Sequence, residues 1–414
     1  SAYGWSGQVK DAREGIGQQL ARARRRRGLS QVVLAGLIGR SESWLSQVER
    51  GARSIDSHSV LTRLGEILGI PLEDLTVDEK GSGVQRYEAA TVVRDALTSY
   101  ETLAAFVGPS APKTQVPDLT WLSNELRAVN RFYQAAHYDT AGQRLPRLIK
   151  AAEHAAQATP VRRRRTAHTL RALVYHSAAM TLNRVGETEL AWTAADRSLA
   201  AAREADAPLL AGASAFRLGY VFVQMRDPER AKCIALSTAA ALGSVPGRLD
   251  PQRLSLVGGL HLVGVTAAAR QFDRAEVDAN LKQARRIATR LGGDYNHFWT
   301  AFGPTNVRIH ELSAAVTFGD PRQAIDIGES LDVSRLAPGL RGRRAQVRLD
   351  LARAYSQQRK DAAAVNMLLD AEHISPELVR YDTRTHDLLG VLIKREHRAS
   401  TPQLRDLAHR AGVI

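Results

Sequence analysis

Four aromatic residues fall within eight positions in Tyr295-Asn-His-Phe-Trp-Thr-Ala-Phe302, in a chain that is only 6% aromatic. Phe298, Phe302, Asn306 and His310 recur every four residues, the spacing of one helix face. Aromatic walls with a few polar groups are what a ligand pocket requires. An aromatic core with Asn306 capping a helix fits the same pattern, and both readings stay open. Gly303-Pro304 interrupts the run and should kink a helix or begin a new one. Elsewhere, residues with reactive chemistry are sparse. His168 and His176 are spaced to share a helix face, but without the clustered carboxylates or thiols of a metal site. Cys233 has no neighbouring histidine to activate it. The chain has no GxSxG, no glycine-rich phosphate loop and no HExxH. The expectation is no enzyme, no metal and no cofactor. Arg162 to Arg165 point around the whole circumference of a helix. They are either a solvated helix start or a site for an acidic ligand or partner.

At 414 residues, the chain should hold two or three domains at about 150 residues each. Lys and Arg number 57 against 43 Asp and Glu, a net charge of +14. Basicity alone does not single out the N-terminus, because the excess is spread along the chain. Arginine far outnumbers lysine, which the codon bias of a GC-rich genome explains. A basic chain still favours polyanionic partners through counterion release. The one cysteine cannot form an internal disulfide, so a reducing cytoplasm is expected. The longest uncharged stretch, Leu254 to Ala269, falls short of the roughly 20 residues needed to span a bilayer. No signal peptide or lipidation motif is present to suggest secretion or anchoring. The start at Ser1 suggests a processed or engineered terminus.

The elements that would position such residues are helices nearly throughout, given abundant Ala, Leu and Arg and no long β-branched alternation. The strongest local signal lies in residues 16 to 75. A helix from Ile16 to Arg27 should end at Gly28. Ser30 should cap a second over Gln31 to Ile38, ended by Gly39. Ser41 should cap a third over Glu42 to Arg50, ended by Gly51, and Ser57 a fourth running to Leu68. Leu34, Ala35, Leu45 and Val48 lie where two helices would cross closely, with Gly39 permitting the sharp turn. This is helix-turn-helix geometry with the third helix exposed.

Gly28-Leu-Ser-Gln31…Leu34-Ala35…Gly39-Arg-Ser41…Leu45-Ser-Gln-Val-Glu49-Arg-Gly51-Ala-Arg53 resembles the phage-repressor-like, or XRE, family of DNA-binding domains. Ile55 departs from a frequent proline, and Val32 and Val33 from positions more often polar. The resemblance implies that Gln31 contacts a phosphate and that Ser41, Glu42, Ser43 and Gln47 face the major groove. Arg50 and Arg53 would reach the backbone. The chemistry suits those roles: glutamine can bond bidentately to adenine, and glutamate can accept from cytosine N4. Arg24 to Arg27 either add phosphate contacts or form a solvated helix end that complements the dipole.

Residues 79 to 83 read as a flexible linker, followed by a long helix from Val84 to Val107. Beyond Leu119 a turn followed by a helix-opening alanine recurs, at Ala141, Ala191, Ala231, Ala275, Ala324 and Ala364. Such spacing fits stacked helical hairpins, each longer than the roughly 34-residue tetratricopeptide unit. Ala352, Tyr355, Ala362, Leu368, Ala371 and Pro376 follow the tetratricopeptide order of small, aromatic, small and terminating residues. The fold expected is all-α: a helix-turn-helix domain over 12–78, a linker over 79–83, and a tetratricopeptide-like α-solenoid over 84–414. An irregular helical bundle is the other possibility for the long region.

Phe302-Gly-Pro-Thr-Asn-Val, Asn130-Arg-Phe-Tyr-Gln-Ala-Ala and Leu351-Ala-Arg-Ala-Tyr resemble actinobacterial regulators that join an XRE-like domain to tetratricopeptide-like repeats. The architecture is also similar to peptide-responsive quorum-sensing regulators, whose repeats hold a peptide through asparagines. That likeness makes Asn130, Asn183 and Asn306 candidates, with Tyr175 beside Asn183 and the pair Phe302 and His310. The function implied is a cytoplasmic, dimeric transcription regulator, nucleoid-associated when bound to an inverted-repeat double-stranded DNA operator. Its repeats would dimerise and sense a peptide or small-molecule effector. The alternative is a repeat scaffold acting mainly through protein contacts.

Overall fold

The computed structural model describes residues 16–50, 55, 58–70, 87, 89–99, 117–245, 250–397 and 399–414. The chain divides into two compact units, Ser1–Ser82 and Gly83–Ile414. Every regular element among the described residues is helical.

In the first unit, α1 (Ile16–Arg26), α2 (Gln31–Leu37), α3 (Glu42–Glu49) and α4 (His58–Leu68) begin and end where local chemistry dictates. Ser30 and Ser41 take extended conformations, and their hydroxyls accept the amide N–H of Val33 and Trp44, both at 3.2 Å. Each serine thereby satisfies a donor that its helix leaves unpaired. Leu20, Leu34, Ala35, Leu45, Val48 and Leu64 are buried and form one core. Full burial of each leucine contributes about 1.5–3 kcal/mol. Gly17 is required where α1 crosses the end of α3: a Cβ there would lie 2.2 Å from the Val48 carbonyl oxygen. The Ser57 cap, Gly51 and the 79–83 linker lie outside the described residues.

The second unit opens with α5 (Ala90–Thr98), shorter than the helix expected from Val84 to Val107. It stops because Ser99 leaves helical geometry at ψ 86°. Six hairpins follow. Their first helices are α6 (Leu119–Gln134), α8 (Val161–Arg184), α10 (Pro208–Gln224), α12 (Pro251–Arg270), α14 (Pro304–Thr317) and α16 (Arg341–Gln357). Their second helices are α7 (Tyr138–Ala158), α9 (Thr188–Glu204), α11 (Pro228–Ser244), α13 (Arg274–Leu291), α15 (Pro321–Glu329) and α17 (Asp361–Ile374). Short helices α18 (Pro376–Tyr381), α19 (Thr383–Lys394) and α20 (Leu404–Arg410) close the chain.

One turn is repeated in all six hairpins. The residue two past the first helix has positive φ: Ala136, Gly186, Arg226, Phe272, Gly319 and Arg359. The next amide then bonds back five residues, as in His137 N–H to Phe132 O at 2.9 Å and Lys360 N–H to Tyr355 O at 2.9 Å. This is the Schellman closure, which satisfies the carbonyls that a helix end leaves open. Four residues past each second-helix cap, a small side chain packs into the hairpin. Ala141, Ala191, Ala231, Ala324 and Ala364 are fully buried there. In the fourth hairpin that position is Val277, whereas Ala275 is exposed. The register expected at Ala275 is thus two residues early, because Asp273, not an earlier residue, caps α13.

The first hairpin also meets α18. The Asp139 N–H donates to Glu377 at 2.9 Å, and the Tyr381 hydroxyl donates to Asp139 at 2.7 Å. Tyr87 stands edge-on to Tyr381 at 5.7 Å, and its hydroxyl donates to the Tyr138 carbonyl at 2.7 Å. A Cβ at residue 142 would fall 1.4 Å from that hydroxyl, which is why glycine sits there.

Candidate functional site

In the first unit, Ser41, Glu42 and Ser43 are exposed on the opening turn of α3. Gln47, half-buried, lies one turn beyond Ser43 on the same stripe. Arg50 is exposed, its Nε donating to the Ser46 carbonyl at 3.2 Å. Trp44 packs its ring partly into the core, and the Arg40 guanidinium lies 5.7 Å over it. Arg53 lies outside the described residues. Val32, Val33 and Leu37 are exposed on α2.

Two expected phosphate-contacting side chains turn inward. Arg24 is buried and forks onto Glu49, with Nε–Oε1 at 2.6 Å and Nη2–Oε2 at 2.9 Å. Its Nη1 donates to the Leu29 carbonyl at 2.8 Å. Gln31 Nε2 donates to the same Glu49 carboxylate at 2.7 Å. Burial pushes the Glu49 carboxyl up, but the hydrogen bonds from Arg24 and Gln31 and the Arg24 charge outweigh it and hold it low. The hydrogen bond to Glu49 raises Arg24, so the pair stays ionised. This network joins α1, the start of α2 and the end of α3. It fixes the angle at which α3 leaves the core. Arg25, Arg26 and Arg27 remain exposed.

In the second unit, the first helices of all six hairpins and the stretch from Tyr381 to Arg384 line one channel of about 210 Å³. Arg184, Arg217, Arg270, Arg343 and Arg384 project into it from five helices. Among the described residues that line it, Asp382 is the only carboxylate. Its oxygens already accept from Thr385 and from Arg353, the latter at 2.7 Å. Arg217 donates to His176 Nε2 at 3.1 Å and to the Trp299 carbonyl at 2.8 Å. Burial pulls the Arg217 guanidinium down to about 10, and Arg343 and Arg184 add repulsion, while the tyrosines Tyr133 and Tyr220 oppose it. Burial, then Arg384 and Arg353, pull Arg270 to about 9. Arginine stays protonated at neutral pH all the same.

Of the six expected ligand residues, the structure places His310 and Asn183 in this wall. His310 Nδ1 bonds the Asn306 carbonyl at 2.8 Å, so it carries the proton, and Nε2 accepts from the Tyr220 hydroxyl at 2.9 Å. Burial, with Arg343, pushes this imidazole down to about 3, so it is neutral. The Asn183 side-chain oxygen is buried without a hydrogen-bond partner among the described residues. The other four lie outside the wall. Phe302 is fully buried in the core, and a Cβ on Gly258 would come within 2.0 Å of its ring. Asn306 is buried, its Nδ2 donating to the Thr300 carbonyl at 3.5 Å. The Tyr175 hydroxyl donates to Glu153 at 2.7 Å, and Asn130 accepts from Ser177 at 2.8 Å. The four-residue stripe fails because α14 begins only at Pro304. Before it, Phe298, Trp299 and Ala301 have positive φ, which turns Phe298 and Phe302 out of helical register with Asn306.

A family model described as a helix-turn-helix domain matches residues 16–76. The N-terminal unit is a helix-turn-helix domain. No curated protein matches the chain. Among solved structures, it is similar to Bacillus thuringiensis PlcR in complex with the peptide PapR7 and DNA, at 12% identity and TM-score 0.30. The likeness covers 87% of this chain and 99% of that one, and is too loose to carry a function across.

The buried ion pair of the helix-turn-helix domain was legible only as a faint signal. Gly17, Leu20, Ala21 and Arg24 share one buried stripe of α1, so the arginine interrupts an apolar face. The channel arginines have a partial signature. Gln134, Arg184, Gln224 and Arg270 each end the first helix of a hairpin, and all four line the wall.

Proposed function

We propose that this chain is a DNA-binding transcription regulator of the phage-repressor-like kind. Ser41, Glu42, Ser43 and Gln47 read base edges in the major groove. Arg50, Arg53 and the exposed Arg25 to Arg27 contact phosphates, and Gln31 acts through Glu49 and its helix-start amide. The helical repeats dimerise and hold an effector, whose binding shifts the two reading domains relative to each other. The observation that carries this reading is the exposed polar first turn of α3 within a helix-turn-helix domain. One such domain buries little DNA surface, so two copies on an inverted repeat supply the affinity. The second unit supports the effector role through its channel, which draws wall residues from every hairpin. The test exposes the full-length protein to random-sequence duplex DNA at about 0.15 M salt. Enrichment of an inverted repeat is expected. Binding without any enriched sequence contradicts the reading and favours a scaffold.

A further inference from the structure

The turn between α2 and α3 fixes one long cation at the edge of the groove-facing surface. Gly39 takes positive φ, and the Arg40 amide then bonds back to the Ala35 carbonyl at 2.9 Å. Ser41 follows in the extended conformation that starts α3. The backbone of Arg40 is therefore set by the turn itself. Its side chain is set by the first turn of α3. The guanidinium lies 5.7 Å from the centroid of the Trp44 ring, within cation–π range. Trp44 is itself held, half-buried against the core that includes Leu34 and Leu45. Stacking occupies the faces of a guanidinium and leaves its in-plane N–H donors open. Arg40 is exposed, and those donors make no hydrogen bond or ion pair with any described residue. Neighbouring arginines differ: Arg50 directs Nε at the Ser46 carbonyl, and Arg63 meets Glu66 at 3.3 Å.

We infer that Arg40 contacts a DNA phosphate at the start of α3, and that Trp44 is the positioning residue that holds it there. This rests on reading the domain as DNA-binding. At about 100° per residue, Trp44 sits between the stripe of Ser43 and Gln47 and the buried Leu45 and Val48. A cation over that ring lies at the margin of the stripe. Base edges form the floor of a major groove and phosphates its margins, so a group at that margin meets the backbone. The planar fork suits phosphate, which it can take with two parallel bonds. A guanidinium already stacked in place also loses less side-chain freedom on binding than one that must first be immobilised.

The experiment measures Kd by fluorescence anisotropy for the full-length protein on its selected operator and on a random duplex, across about 0.1–0.3 M salt. Arg40→Gln should bind both duplexes about tenfold more weakly, with base preference unchanged. The slope of log K against log salt should become shallower by about one. Arg162→Gln removes an exposed charge from the second unit and should keep the wild-type slope. Trp44→Phe keeps an aromatic face and should bind within about twofold of the wild type, whereas Trp44→Leu keeps every charge but frees Arg40 and should weaken binding about threefold. In the Arg40→Gln background, Trp44→Leu should cost nothing further, because its effect passes through the guanidinium. An unchanged slope in Arg40→Gln overturns the phosphate contact, as does equal weakening by Arg162→Gln. A relaxed base preference in Arg40→Gln overturns it too. Additive losses at the two positions overturn the positioning role of Trp44. Arg40→Gln lies on the surface and decides the contact even where Trp44→Leu fails to fold. If no sequence is enriched, the regulator reading fails and the random-duplex slopes still decide Arg40. Operator preference with Arg40→Gln unaffected defeats only the contact, and no binding to either duplex defeats both.

Discussion

At the residue scale, one carboxylate organises the helix-turn-helix domain. Glu49 accepts from Arg24 and Gln31 while almost fully buried, so removing it strands a guanidinium in the core. Glu49→Ala should destabilise the domain by about 3–5 kcal/mol, whereas the double change Arg24→Met/Glu49→Leu should cost far less. Denaturant midpoints of the three proteins check this. The same carboxyl sets a pH dependence. Its folded pKa lies below the ordinary 4.5, so its contribution is present at neutral pH and down to about that value. It is lost as pH falls further, through the lowered folded value. Acid titration of wild type and the double variant should diverge only in that window. Curves that stay parallel through that acid window contradict the assignment. The residue that terminates α3 was read from the sequence as part of a repressor-like motif, but its partner was not. Arg24 sits among four consecutive arginines, and only the three-dimensional stripe with Leu20 separates it from them.

At the element scale, the repeated turn is where sequence and structure agree most closely. Gly and Asp beside helix ends marked all six hairpin turns before any packing was known, and only the alanine register of the fourth was off, because left-handed backbone and N-caps have few chemical solutions. Gly186 has φ +85° and open space around its Cβ position, so Gly186→Ala tests the backbone alone. A cost of about 1–2 kcal/mol is expected. Gly390 also has open space but lies inside α19, and Gly390→Ala should instead stabilise by about 0.5–1 kcal/mol. Opposite shifts in urea midpoint check the pair; shifts of one sign contradict the turn assignment. The segment before α14 was misread for a physical reason. A period of four promises one face only while the backbone stays helical, and three positive φ values between Phe298 and Ala301 break it. The channel arginines escaped because Arg217, Arg343 and Arg384 sit at unrelated positions of their helices, converging only when the hairpins stack.

At the scale of the whole molecule, two claims extend beyond one fold. The first is that the protein acts as a pair. Light scattering of the full-length chain, free and with its selected operator, should give a dimer on DNA whose half-sites lie about one helical turn, ~34–36 Å, apart. A monomer in both states contradicts it. The second concerns the meeting of the first hairpin with α18. The contacts of Asp139 with Glu377 and Tyr381 tie the first hairpin to α18. Burial, with the nearby Asp139 charge, raises the Glu377 carboxyl. Tyr381→Phe removes the bond to Asp139 but keeps the ring against Tyr87, so it should cost about 0.5–1.5 kcal/mol of stability, read as a lower urea midpoint. An unchanged midpoint in the variant contradicts a stabilising role for that bond.

All of this depends on α3 reading DNA through the face that carries Ser43 and Gln47. The most direct measurement is a fluorescence-anisotropy titration of wild type and Gln47→Ala against the selected operator and against single-base variants of it. The account predicts a loss of about 1–3 kcal/mol on the operator and a relaxed preference at the contacted base, with nonspecific affinity unchanged. An unchanged base preference in Gln47→Ala would contradict it.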